Sequence, residues 1–182
     1  STGAVLFSRV IELTSSFIIQ AMALDSSNNI IIGGQFSFSG NNTGFVAKLN
    51  PTATVITWQK SLTVDGSYSY IYSVAVDFNN DIIAVGTANV EHTVNGATET
   101  DEEMLVVKIT SVGGLGWQKV VRLDSETPRG YATNVSLDSV GNIYVTGTYY
   151  VDTVDSDSFP NDNKSNAVVL FKISTLGVMV WD

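Results

Sequence analysis

Four carboxylates, Asp152, Asp155, Asp157 and Asp162, cluster late in the chain, and a run of three, Asp101-Glu102-Glu103, leads into the apolar stretch Met104–Ile109. Grouped carboxylates have three uses. They can ligate a hard cation such as Ca2+, which takes several oxygens; they can divide the acid and base roles of glycoside hydrolysis; or they can stay hydrated and keep a protein in solution. The late cluster lacks the Gly and the distal Glu of a Ca2+-binding loop, so no metal is assigned to it. His92 is the only histidine and has no partner at a recognisable spacing, there is no cysteine, and neither a Gly-x-Ser-x-Gly elbow nor a phosphate-binding loop occurs. The usual nucleophiles and bases are therefore missing. The chain reads as a non-enzyme with no catalytic residue and no cofactor, a carboxylate pair acting on carbohydrate being the remaining enzymatic alternative.

The elements that must carry these side chains follow from composition and pattern. With 182 residues, 44% of them hydrophobic and 15% charged, the chain can bury a core and is too apolar for disorder. Without cysteine, neither disulfides nor a thiolate zinc site can brace it, and packing must suffice. No apolar run approaches the roughly 18 residues needed to span a bilayer, so membrane insertion is not expected. The chain opens on Ser1-Thr2-Gly3, which is neither an initiator Met nor a signal peptide and reads as a processed product or a fragment. A net charge of −9 argues against a nucleic-acid partner, because phosphate binding needs a basic surface.

The dominant feature is repetition. The segments Asp25–Gly34, Asp77–Gly86 and Asp138–Gly147 each begin with Asp, pass through an Asn or Gly turn, continue as apolar β-formers and reach a Gly nine residues after the Asp. Before each Asp lies an alternating apolar strand (Ala21–Asp25, Ser73–Asp77, Asn134–Asp138), and after each turn lies a strand apolar on nearly every residue (Ile30–Phe36, Ile82–Ala88, Ile143–Tyr149). A third strand follows in each unit (Phe45–Leu49, Met104–Ile109, Val168–Ile173), with Lys48, Lys108 or Lys172 next to last. A fourth begins near Trp58, Trp117 or Trp181. The repeats run approximately over 14–62, 63–123 and 124–182. Residues 1–13 supply an outer strand of a preceding unit, in which Phe7 stands where the other copies have Trp. The shared period of Lys and Asp suggests one ion pair per unit, and the Trp positions suggest packing between units rather than a sugar-stacking platform.

Units of about 40–60 residues made of four short strands are the mark of a β-propeller blade, so the fold class expected is all-β, three consecutive four-stranded antiparallel blades. The stretch Asp138-Ser139-Val140-Gly141-Asn142-Ile143-Tyr144-Val145-Thr146-Gly147-Thr148 resembles the D-x-x-G-N-I-Y-V-T-G-T motif of the propeller repeat family called SBBP. All three units resemble it, with Asn28 and Asn80 standing in place of the Gly and Asp81 in place of the following Asn. The resemblance implies a propeller in a secreted, cell-surface or viral structural protein and brings no catalytic residues with it. A non-catalytic scaffold or adhesive module is thus expected, extracellular or in a virion such as a phage tail or fibre. A glycan-binding propeller assembled from two chains is the alternative. Three blades do not close a ring, so the partners expected are proteins, further blades of the same chain, or a second copy in a homo-oligomer.

Strand parity then divides the loops. In an up-and-down meander the first and third connections of each unit emerge at one end, and the second connection and the unit-to-unit link at the other. That second, variable end comprises the loops 35–44, 89–103 and 150–167 with the links 14–20, 63–72 and 124–133, and it holds twelve of the eighteen acids, opposed only by Arg129 and Lys164. Tyr68, Tyr70, Tyr72, Tyr131 and Tyr150 gather there too. The binding-face candidates are Tyr68, Tyr70, Tyr131, Tyr150, Asp101, Glu102, Glu103, Asp155 and Asp157, rigid aromatics beside charge being good contact makers. The competing reading is a set of solvated loops.

Overall fold

The computed structural model describes residue 8 and residues 16–38, 41–64, 67–94, 97–122, 129–152 and 164–181. The strand expected over 4–13 lies outside them apart from Ser8. All regular structure among the described residues is β, in three four-stranded antiparallel sheets, each a meander in chain order. The first holds β1 (Ser16–Leu24), β2 (Ile30–Phe38), β3 (Asn41–Leu49) and β4 (Ile56–Leu62). In the second are β5 (Ser69–Val76), β6 (Ile82–Val94), β7 (Ala97–Ile109) and β8 (Leu115–Val121). The third holds β9 (Arg129–Leu137), β10 (Ile143–Asp152), β11 (Lys164–Ile173) and the short β12 (Met179–Trp181).

The Asp that opens each repeat builds the turn from the first strand to the second. Asp25 Oδ1 accepts from the backbone N–H groups of Ser27 and Asn29 at 2.9 and 2.8 Å, and Asp77 and Asp138 repeat the pattern with Asn79 and Asp81, and with Val140 and Asn142. Such Asx turns replace the hydrogen bonds the reversing chain would otherwise lose. The turn needs one left-handed residue, supplied by Asn28, Asn80 and Gly141 at φ of 61°, 62° and 86°. The Gly nine residues on serves a different need. A Cβ on Gly34 would lie 1.9 Å from the Ile18 carbonyl oxygen, one on Gly86 1.8 Å from that of Tyr70, and one on Gly147 2.3 Å from that of Tyr131. Each faces a register shift between the first and second strands, where the bulged backbone leaves no room for a side chain.

The sheets stack front to back. One core joins Ile31, Val46 and Leu62 of the first sheet to Ile82, Leu105, Val107 and Ile109 of the second. Another joins Ile83, Val85 and Val106 of the second to Ile143, Val145, Phe171 and Ile173 of the third. Because side chains alternate along a strand, Ile82 and Ile83 serve opposite interfaces, and the near-continuous apolar runs are explained by burial on both faces. Inter-sheet packing concentrates on the first strands: β5 lies against β1, β2 and β3, and β9 against β5, β6 and β7.

Two expectations need correction. Residues 89–103 are not a loop but the outer halves of β6 and β7, which pair from Ile82↔Ile109 out to Val94↔Ala97. His92 is accordingly a strand residue. The links are also shorter than expected, because β1, β5 and β9 begin earlier: Tyr70 and Tyr72 belong to β5 and Tyr131 to β9, while Tyr68 immediately precedes β5. The unpatterned polar sequence hid these extensions, since the paired residues far from the core do not alternate apolar with polar.

Candidate functional site

At the turn end, alternation puts the Lys of each third strand beside the Asp of the first turn. Lys48 Nζ lies 2.8 Å from Asp25 Oδ2, and Lys108 Nζ lies 3.0 Å from Asp77 Oδ2 and 3.2 Å from Asp81 Oδ2. In the third unit Tyr144 changes the pattern: its hydroxyl lies 3.3 Å from Asp138 Oδ2, and Lys172 Nζ stands 4.9 Å from the centre of its ring. Burial works against ionising Asp25, but hydrogen bonds from Lys48, the Asn29 side chain and the Asn29 and Ser27 amides outweigh it and lower its pKa to about 2. Hydrogen bonding to the Asn142 side chain, with further backbone and Tyr144 bonds, lowers the Asp138 value too. Burial opposes the charge on Lys108, yet Asp77 and Asp81 raise its pKa. These ionic groups are thus engaged in holding turns together. Trp58 Nε1 donates to the Ser111 carbonyl of the next unit at 3.3 Å, and Trp117 Nε1 to that of Thr175 at 3.4 Å, so both indoles join sheets.

At the variable end, strand alternation separates the three consecutive acids. Asp101 and Glu103 point to the side of the second sheet that faces the first, and Arg122, just beyond β8, reaches both at 3.7 Å. Glu103 is buried. Glu102 points the other way and accepts a hydrogen bond from the Tyr131 hydroxyl of the third sheet. Burial, then that hydrogen bond and the Glu102 charge, push the Tyr131 pKa well above the usual phenol value. Tyr72 is raised by burial, by Glu102 and by Tyr70.

The candidate tyrosines form a line across the sheets. Asn42 Nδ2 of the first sheet donates to the Tyr70 hydroxyl at 3.0 Å, and the Tyr70 and Tyr72 rings stack with centroids 6.3 Å apart. Tyr131 meets the Tyr150 ring edge-on at 5.7 Å. Tyr68 is exposed, and its carbonyl accepts from the Asn89 amide at 2.8 Å. Asp155 and Asp157 lie outside the described residues, as do Asp65, Asp124, Glu126 and Asp162. Asp152 is placed in β10 by its backbone alone. The structure therefore gathers Tyr70, Tyr131, Tyr150 and Glu102 with Tyr72 and Asn42 along one line, and sets Asp101 and Glu103 on the opposite face with Arg122. Arg122 is the functional neighbour that loop counting missed. Its place in the repeat was the available signal, since a residue beyond Val121 falls across from Glu103 once Met104 pairs with Val121.

Among the described residues there is no group of three or more His, Cys, Asp and Glu side chains that could hold a metal ion, and no helix long and apolar enough to cross a membrane. No family model matches the chain, and no curated protein matches it.

Proposed function

We propose that the chain is a non-catalytic β-propeller segment, a scaffold and protein-interaction module of a structural or adhesive protein found outside the cell or in a virion such as a phage tail or fibre. The observation that carries this reading is how its distinctive side chains are engaged. The once-per-unit Asp, Lys and Trp join turns and sheets, and Tyr70, Tyr131 and Glu102 bond across sheets at the other end. Rigid stacking of this kind holds loops at fixed spacing, which is what a scaffold supplies. The resemblance of Asp138–Thr148 to the SBBP repeat favours the propeller and the structural setting. Trp58 and Trp117, packed between sheets, are not free to serve as a sugar platform, and this favours a protein partner over a glycan.

An antibody raised against the chain, applied to fractionated source material, tests the reading. Labelling of sedimentable particles or cell-surface material is expected. Labelling confined to soluble intracellular protein would contradict it. Binding on a glycan array that is lost in Tyr131→Ala but kept in Trp58→Phe would instead favour the lectin alternative.

A further inference from the structure

The turns of the second and third sheets flank a cavity of about 270 Å3 with Val76 and Leu137 as apolar walls and Phe78, 69% exposed, at its rim. It lies where the repeat departs from itself. Between the first and second sheets the matching turn residue is Asn80, whose side chain crosses to accept from the Ser26 amide at 2.9 Å. Between the second and third it is Gly141, which extends no side chain toward Phe78. Two carboxylates, Asp77 and Asp138, also line the cavity, and their surroundings differ. Asp77 is paired with Lys108, which stands across from Ile83 in the same sheet, as Asp25 is paired with Lys48 across from Ile31. In the third sheet Tyr144 replaces the isoleucine: its hydroxyl stands beside Asp138, and Lys172 lies over its ring instead. Among the described residues no ion pair joins a cation to Asp138. Tyr144 accounts for the difference, because in the other units the Asp and the Lys belong to one sheet. Lys108 is itself shared with Asp81, so negative charge is in excess beside the cavity.

We infer that this cavity takes the side chain of a lysine presented by a protein partner, its methylenes against Val76 and Leu137 and its ammonium between the Asp138 carboxylate and the Phe78 ring. Each part of the cavity answers one part of that side chain. A lysine buries its apolar stem while keeping its charge near water, and the ammonium is drawn both to a carboxylate and to the face of an aromatic ring. An anionic ligand is repelled here, and a purely apolar one desolvates Asp138 without supplying a cation. The partner thus gives the third unit the cation that Lys48 and Lys108 give the others from within. The inference deepens the protein-interaction reading, resting on it only for the source of the lysine, and it puts a point of attachment at the turn end, away from the tyrosine line. For an isolated lysine the affinity is on the order of millimolar, since one side chain offers few atoms to bind.

Amide NMR of the isotope-labelled full chain, titrated with N-acetyl-lysine methylamide to roughly 20 mM, spans that affinity. The resonances of Phe78, Ser139 and Gly141 should shift saturably, and N-acetyl-norleucine methylamide, which has the stem without the charge, should leave them in place. Tyr144→Ile restores the isoleucine of the other units, frees Lys172 to pair with Asp138, and should abolish the shifts. Gly141→Asn gives the turn the residue that Asn80 supplies at the same left-handed backbone, and by filling the cavity it should abolish them too. If one variant loses its circular dichroism spectrum, the other carries the test. A wild type without shifts overturns the inference, and so do equal shifts from the norleucine derivative or shifts that a folded variant retains. Shifts from n-butylammonium with none from the lysine derivative overturn the partner's lysine in favour of a free amine. Each of these failures leaves the scaffold reading in place, whereas a chain that binds lysine but is labelled only in soluble intracellular protein defeats that reading and leaves the cavity's assignment standing.

Discussion

At the scale of single residues, the repeated Asp is a structural acid. Its folded-state pKa near 2 in Asp25 lies below the ordinary 3.8, so ionised Asp25 contributes stability that is fully present above about pH 4. That contribution is lost as pH falls through 2. Acid titration of the melting temperature should show the loss, and Asp25→Asn should flatten that part of the curve. Lys108→Met strands the buried Asp77 and should cost about 3 kcal/mol in urea unfolding, the lower end of what breaking a buried pair costs. An unchanged midpoint would mean the pair does not matter to stability. Gly86→Ala forces a methyl against the Tyr70 carbonyl oxygen and should destabilise by about 3 kcal/mol or more. The spacing of Asp, Lys and Gly was plain in the sequence, because each recurs once per unit. The reason for the Gly was not, since a bulge in the neighbouring strand leaves no mark on the residues that form it.

Among elements, hairpins and their order were legible from turn residues and apolar runs, and strand length was not. The pairing of Val94 with Ala97 leaves only Asn95-Gly96 between β6 and β7, and an Asn-Gly pair is the strongest short hairpin signal. The acidic stretch around it pointed to a solvated loop, and that composition obscured the signal. Strand alternation then explains why Asp101, Glu102 and Glu103 do not act together, a split invisible while the segment reads as a loop. Arg122 tests the split. Arg122 is exposed and stands 3.7 Å from both acids, so Arg122→Gln should cost about 1 kcal/mol, and Tyr131→Phe, which removes one hydrogen bond on the opposite face, should also cost about 1 kcal/mol. The two effects should add in the double variant, and a departure from additivity of more than about 0.5 kcal/mol would argue that the acids form one cluster after all. Alkaline pH offers a second check. With the Tyr131 and Lys108 pKa values raised, their contribution is present below about pH 10 and lost above it as each deprotonates.

For the whole molecule, the central claim is that three like sheets stack through one recurring interface, each unit's tryptophan closing on the next unit's turn. Periodicity announced the three units; their front-to-back burial needed coordinates, because an apolar run does not say which sheet covers which face. The claim makes the three tryptophans inequivalent, although their sequence positions correspond. Trp58 and Trp117 meet Gly113 and Gly177 of the following unit, whereas Trp181 is exposed. Fluorine NMR of chain labelled with 5-fluorotryptophan, kept dilute enough to be monomeric and titrated with a soluble paramagnetic agent, measures this directly. Two resonances should resist broadening and one, assigned by Trp181→Phe, should broaden strongly. Three resonances that broaden alike would mean that the tryptophans do not close one sheet onto the next, and the stack would be wrong.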